Sequence, residues 1–185
     1  DLDRVLGFIV SNALRLFKAR CGCVSLANTG GDFITEISHG WRDPNSPKLI
    51  ARCSYPISDI IIASAHDGNI SCLQDVIGIE GLKKLVVLKL RTQNRVIGLL
   101  SVGIHDERKF ISSEIGVLTT FANSAAMAVN NAQLYADTDQ KLQERVRETT
   151  VLLEQNRALL HSMREGVIAI NNAGYITLVN HEALR

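Results

Sequence analysis

The sequence predicts an α+β fold: a mixed, largely antiparallel central sheet of five or six strands flanked by N- and C-terminal helices. Three observations carry that reading. Apolar residues recur at three- and four-residue steps from Leu2 through Val5, Leu6, Ile9, Val10, Ala13 and Leu14 to Phe17, the pattern of an amphipathic helix over residues 2–19. Two apolar runs, 85–90 (LVVLKL) and 96–104 (VIGLLSVGI), flank a short polar stretch and read as neighbouring strands. A long helical run then opens at Ser112 or Ser113, either of which can cap it, and meets no Pro or Gly from Val117 to Glu165.

Composition narrows the function. The 185 residues are 46% hydrophobic, enough for one domain of common size with an extension. Twenty Lys and Arg against nineteen Asp and Glu leave a net charge of +1, with no basic excess to neutralise a phosphate backbone, so nucleic acid is not an expected partner. The longest apolar stretch, 57–65, is interrupted by Ser58, Asp59 and Ser64. It falls short of the roughly 20 residues a membrane helix needs, and no membrane span is expected. The opening Asp1-Leu2-Asp3-Arg4 lacks the layout of a secretory signal, which points to a cytoplasmic chain or the cytoplasmic part of a larger one. In that reducing setting Cys21, Cys23, Cys53 and Cys72 are expected as free, mostly buried thiols. No CxxC pair or HxxxH spacing accompanies them, so no metal site is expected.

The remaining elements follow in order. Residues 23–27 and 33–38 read as strands joined by the NTGGD turn at 28–32. Segment 39–58 holds all three prolines, Pro44, Pro47 and Pro56, and reads as a long loop or a loop with a short helix. Asp59 is placed to cap a helix through about His66, stopped by Asp67-Gly68-Asn69; residues 70–75 then read as a third strand and 78–84 as a helical turn. In the last helix a four-and-three repeat runs through Ala128, Ala132, Tyr135, Asp139, Leu142, Val146, Thr149, Leu153, Asn156, Leu160 and Met163. At roughly 1.5 Å per residue the helical run from Val117 to Glu165 makes a rod of about 75 Å. Its polar members, Asp139, Thr149 and Asn156, are the kind that fix register in a two-stranded coil at some loss of stability. A parallel homodimer is expected, with Leu6, Ile9 and Ala13 of the first helix and Ala128, Tyr135, Leu142, Val146 and Leu153 of the last at its interface. Beyond Gly166, residues 167–171 and 175–179 form a hairpin about an Asn-Ala-Gly turn.

Val96, Ile97, Gly98, Leu99, Leu100, Ser101 and Val102, then Phe110 and Glu114, then Leu118, Phe121, Ala122, Ala125, Ala126, Ala128, Asn131 and Tyr135 resemble the closing half of a GAF domain. The string REGVIAINNAGYITLVN resembles the opening of a PAS domain. These resemblances imply a GAF domain over 1–136, a coiled-coil signalling helix over 137–165 and the truncated beginning of a PAS domain over 166–185. The implied role is a cytoplasmic sensory and dimerisation module of a bacterial signal-transduction protein, such as a sensor histidine kinase. It would bind a small molecule or respond to redox state and pass the signal along the coil to an output domain. The other reading is a ligand-free dimerisation and spacer module.

GAF pockets lie between the sheet and irregular segments, so 39–76 supplies the candidates: His39, Trp41, Arg42, Cys53, Tyr55, Ile61, Ser64 and Asp75. Trp41 beside Arg42 offers a stacking face and a cation for a planar anion; alternatively Trp41 and Tyr55 pin the loop to the core. An open polar cavity would favour the sensor, and one filled by Trp41, Tyr55 and Ile61 the spacer. None of the known family ligands finds its motif. Cyclic-nucleotide members carry an Asn-Lys pair and F-x-x-x-D-E, of which only Phe110 and Glu114 are present, with Ile115 in place of the second acid. Bilin members need a Cys followed by His, absent here, and a haem would have only His39 or His66 as axial ligand. The ligand and cofactor are left open. There is no GxSxG, P-loop or HExxH, and His161, in Leu-Leu-His-Ser-Met, lacks the charged neighbour of a phosphoacceptor, so no catalytic residue is expected in this stretch.

Overall fold

The computed structural model describes residues 2–65, 70–92, 95–107, 110–162 and 164–185. The expected helix stop at Asp67-Gly68-Asn69, the haem candidate His66 and the seam position Met163 lie outside the described residues, as does the side chain of His161. The chain divides into two compact units, Asp1–Ala136 and Asp137–Arg185.

In the first unit α1 (Leu2–Phe17) precedes β1 (Cys21–Ala27), β2 (Phe33–His39), α2 (Ser46–Arg52), β3 (Ile60–Ser64), α3 (Ser71–Glu80), β4 (Lys84–Arg91) and β5 (Val96–Ile104), and α4 (Ser112–Ser162) begins there. The five strands lie in the order β2-β1-β5-β4-β3. Every neighbouring pair is antiparallel, so the sheet is not mixed. The β1–β2 hairpin is tied by Asn28, whose Oδ1 accepts the N–H groups of Gly30 and Asp32, both at 2.9 Å. Such a self-bonding Asn is the chemistry of a tight turn.

Strand alternation splits the interior into two cores. On one face Leu6, Ile9, Val10, Ala13 and Phe17 of α1 and Leu118, Ala122, Ala125, Ala126 and Val129 of α4 pack on Val86, Leu88, Leu100 and Val102. On the other, Ile50 of α2 and Leu73, Val76 and Ile77 of α3 pack on Cys21, Cys23, Leu85, Val87 and Leu99. The sheet is therefore covered on both faces. Leu6, Ile9 and Ala13, expected at a dimer seam, are buried against their own sheet. The face of α1 left outward carries Phe8, 71% exposed.

Two elements exchange type relative to the sequence reading. Residues 59–66, expected as a helix, contain β3, which pairs with β4 from Ile60↔Leu88 to Ser64↔Lys84. Three consecutive isoleucines are stiff at χ1 and suit a pleated surface better than a helix. Asp59 caps nothing there; its carboxylate pairs with Arg91 at 3.0 Å and its carbonyl takes the Lys89 N–H at 2.8 Å. Residues 70–75, expected as a strand, open α3, whose buried Leu73, Val76, Ile77 and Glu80 follow helical spacing. That helix ends on Gly81 at φ 67°, with Leu82 N–H returning to the Ile77 carbonyl at 2.9 Å, a glycine stop that uses the left-handed region.

In the second unit α4 runs to Ser162 and is followed by the hairpin β6 (Ile168–Ile170) and β7 (Ile176–Val179) and a 3-10 turn, His181–Leu184. Asn180 is buried and fully used. Its Oδ1 accepts from Val167 N–H at 2.8 Å and Ala183 N–H at 3.1 Å, and its amide donates to the carbonyls of Glu165 at 2.8 Å and Leu160 at 3.4 Å. One side chain thereby joins the helix end, the hairpin and the final turn.

All residues of both buried cores precede Ala136. A chain ending at Tyr135 should therefore keep a single cooperative unfolding transition, followed by circular dichroism. A molten or insoluble product would show that residues beyond it complete the first unit.

Candidate functional site

The site is built on a fixed loop. Gly40, at φ 75°, turns the chain out of β2, and a Cβ there would fall 2.0 Å from the Arg20 carbonyl oxygen. Trp41 then donates its indole N–H to the Gly22 carbonyl at 2.9 Å and lies half-buried against the second core. The next three anchors converge on one carboxylate. Glu80, 2% exposed, accepts the backbone N–H groups of Arg42 at 2.8 Å and Asp43 at 3.0 Å and the Ser46 hydroxyl at 2.5 Å. Burial alone would raise its pKa; the bonds from Ser46, Arg42 and Asp43 outweigh that and hold the carboxyl below its ordinary 4.5.

This anchorage sets α2 in place. Pro47 stands in its first turn, where a missing N–H costs nothing. The Pro47 carbonyl accepts the Thr35 hydroxyl at 3.1 Å, which fastens α2 to β2, and Thr35 in turn bonds Ser25 of β1 at 3.1 Å. Beyond α2 the chain is strapped by Tyr55, whose hydroxyl donates to the Ile50 carbonyl at 2.5 Å, and by a disulfide from Cys53 to Cys72, with Cα atoms 6.1 Å apart. Lys89 of β4 donates to the Pro56 carbonyl.

Between β2 and α2 these ties leave a cleft of about 960 Å³. Phe33 and Thr35 of β2, Lys48, Ala51 and Arg52 of α2, Cys53, Ser54 and Tyr55 after it, and Lys89 of β4 line it. A second groove, about 690 Å³, follows β3 past Tyr55, Pro56, Ile60, Ile61 and Ile62.

Of the residues expected at a pocket, Cys53 and Tyr55 line the cleft and Ile61 lines the groove. His39 is exposed at the end of β2 and Asp75 is exposed on α3 rather than at a strand end. Ser64 closes β3. Trp41 and Arg42 do not border the cleft: Trp41 pins the loop, and Arg42 is held by its backbone to Glu80 while its side chain is exposed. The space between the sheet and α2 and α3 is packed, with Trp41 and Tyr55 lying against the apolar cluster that contains Ile50, Ile61 and Leu73.

The expectation of four free thiols is corrected by the Cys53–Cys72 bond. Cys21 and Cys23 remain free and buried. Burial pushes the Cys23 thiol up to about 12, and burial with the nearby Glu80 charge pushes Cys21 up to about 11, so neither is a thiolate near neutral pH. No cluster able to hold a metal ion occurs among the described residues. No helix among them is long and apolar enough to cross a membrane.

The sequence reading missed Glu80, Thr35, Lys48, Arg52 and Lys89. Lys48 and Arg52 stand four apart in PKLIAR, a spacing that puts both on one helix face. Reading 39–58 as a loop hid it.

Glu80→Gln removes the charge that three donors share, and about 2–3 kcal/mol of stability should go with it in urea unfolding. The linkage has a definite sign. Because the folded pKa is depressed, Glu80's contribution is complete above pH 4.5 and is lost as pH falls through the folded value. The wild type should therefore lose stability below pH 4.5 more steeply than Glu80→Gln, and parallel acid curves would exclude the anchor.

The GAF domain family matches residues 1–129. No curated protein matches the chain. Among solved structures, a domain assigned to a two-component sensor histidine kinase of Sinorhizobium meliloti 1021 is 18% identical with a TM-score of 0.65, over 76% of this chain and 98% of that one. The photoproduct state of a GAF domain from Synechocystis sp. PCC6803 is 16% identical at TM-score 0.59, over 75% and 99%. The GAF domain of a two-component sensor histidine kinase from Bacillus halodurans is 16% identical at TM-score 0.55, over 74% and 98%. At such identities the likeness establishes the fold, and with the family match over residues 1–129 the chain belongs to the GAF domain family.

Proposed function

We propose that this chain is a sensory and dimerisation module of a bacterial signal-transduction protein. Its GAF unit responds to a small molecule in the cleft, or to the redox state of Cys53 and Cys72, and α4 passes the response to an output domain. The observation that carries this reading is α4 itself. Its buried stripe, Leu118, Ala122, Ala125 and Val129, packs on the sheet, and the same helix continues to Ser162. Along that continuation Tyr135, Leu142, Val146 and Leu153 are 74%, 60%, 58% and 60% exposed, and Ala128 at the head of the repeat is exposed too. Apolar side chains in steps of four and three, left to solvent in one chain, are the seam a second copy covers. Similarity to domains of sensor histidine kinases from Sinorhizobium meliloti and Bacillus halodurans supports the signalling role. The hairpin and buried Asn180 of the second unit fit the beginning of a PAS-like domain.

The ligand-free spacer is favoured by one observation, the packing of Trp41, Tyr55 and Ile61 in the space under α2 and α3. The cleft beside α2 favours the sensor.

Replacing Leu142 and Val146 with Glu should convert a dimer to a monomer by light scattering, since a charge in the seam is left without water or partner. A dimer that persists would remove the coil from the reading. The disulfide gives a second measurement. Reducing it releases the loop between residues 53 and 72, worth about 3 kcal/mol on a loop-entropy scale, and hydrogen exchange in the dimer should rise at α2 and also along 135–160. Exchange confined to 53–72, whatever small molecule is added, leaves the spacer.

A further inference from the structure

The cleft beside α2 is more positive than the chain that carries it. Lys48 and Arg52 stand one helical turn apart on α2, and Lys89 of β4 lines the same cleft. The one carboxylate among the lining residues is Asp32, so the walls carry an excess of two positive charges, against +1 for the whole protein. None of these cations is spent on a carboxylate. Lys48 and Arg52 are exposed and make no ion pair among the described residues, and the Lys89 ammonium donates to a neutral carbonyl, that of Pro56. Phe33 and Tyr55 supply aromatic surface between the charged walls. Both rings are half-buried, and the Tyr55 hydroxyl is engaged with the Ile50 carbonyl, so each ring is held in place.

Unpaired cations around an aromatic floor select for one chemistry. A guanidinium offers a planar fork that matches a carboxylate or a phosphate two bonds at a time, and a lysine one turn away adds a point charge. Aromatic rings prefer a flat or apolar body. The volume, about 960 Å³, is that of a cleft for a small molecule rather than for a single ion.

We infer that the cleft takes a small organic anion, a carboxylate or phosphate ester with a planar or apolar body. The anionic group lies between Lys48 and Arg52, and the body lies over Phe33 and Tyr55. This rests on the sensory reading above and names the ligand class of its site. The occupant would bridge α2 to β4 and β2, and so hold the segment that the disulfide also holds.

The test uses two fluorescent probes on the full chain, 8-anilinonaphthalene-1-sulfonate and its uncharged analogue N-phenyl-1-naphthylamine. The sulfonate should bind the native protein, weaken with added salt, and lose roughly 10- to 100-fold in affinity in Arg52→Ala, with a further loss when Lys48→Ala is added. Arg52→Lys should recover part of the loss. The uncharged probe should bind wild type and variants alike. Both substituted residues are exposed, so the variants should keep the wild-type melting curve, and the Leu142→Glu, Val146→Glu protein should bind the sulfonate as well as wild type, which excludes the α4 seam as its site. Absence of sulfonate binding, or equal binding by wild type and the Lys48→Ala, Arg52→Ala variant, overturns the inference. Either result leaves the light-scattering and exchange measurements untouched, so the anion site can fail while the sensory module stands.

Discussion

Glu80 is where the α2 face of this domain is made. A carboxylate at 2% exposure is expensive to bury, and it is tolerated here because two donors from the loop before α2 and the Ser46 hydroxyl at the start of α2 meet it. The arrangement runs in both directions. The loop supplies the bonds that keep the charge inside, and the charge fixes the path of the chain from Arg42 to Ser46. With Glu80 in place, Ser46 starts α2 at a defined point and Pro47 presents its carbonyl to Thr35. The cleft follows from that placement, because α2 becomes its wall.

The two faces of the sheet are consequently unlike. One packs α1 and α4 through an apolar cluster of aliphatic side chains and Phe17. The other holds α2 and α3 by a carboxylate, two hydroxyl bonds and a disulfide around a smaller apolar core. Directional contacts of this kind can be made and broken one at a time, whereas an apolar interface moves as a block. The proposed input is assigned to the α2 face for that reason, and the proposed output to the α4 face. The strands between them are shared: Leu85 and Val87 point into one core while Val86 and Leu88 point into the other.

How much of this could be read from residues alone depended on whether the signal was local. The strand pair at 85–104, the first helix, the NTGGD hairpin and the long last helix announce themselves by period and turn chemistry, and each stands within a few residues of its expected place. The failures cluster between 59 and 80. There Ile60, Ile61 and Ile62 are short enough to fit either period, and what made them a strand was β4 alongside, a partner over twenty residues away. The same holds for the site. Cys53 and Tyr55 were legible as loop residues of suitable chemistry, but pairing Cys53 with Cys72 required the approach of α3 to α2. Glu80 in isolation reads as one more surface acid. Leu6, Ile9 and Ala13 were misassigned for the converse reason: an apolar stripe says that something covers it and not what, and the sheet was the nearer partner.

Continuous bonds join α2 to the centre of the sheet. Thr35 touches both the Pro47 carbonyl of α2 and the Ser25 hydroxyl of β1, so a shift of α2 is felt by an edge strand and by its neighbour at once. β1 is hydrogen-bonded along its length to β5, from Cys21↔Gly103 to Leu26↔Gly98, and β5 is the last strand before α4. The packing there leaves no slack, since a Cβ at Gly103 would lie 2.4 Å from the Cys21 sulfur and one at Gly98 2.6 Å from the Ser25 carbonyl oxygen. Close-packed interiors transmit displacement instead of absorbing it. The position of α2 is therefore tied, through Thr35 and β1, to β5, the strand that precedes α4. In the proposed two-stranded pairing of α4, Asp139, Thr149 and Asn156 would be the polar positions that lower the stability of the coil and leave its register easier to bias by a few kcal/mol.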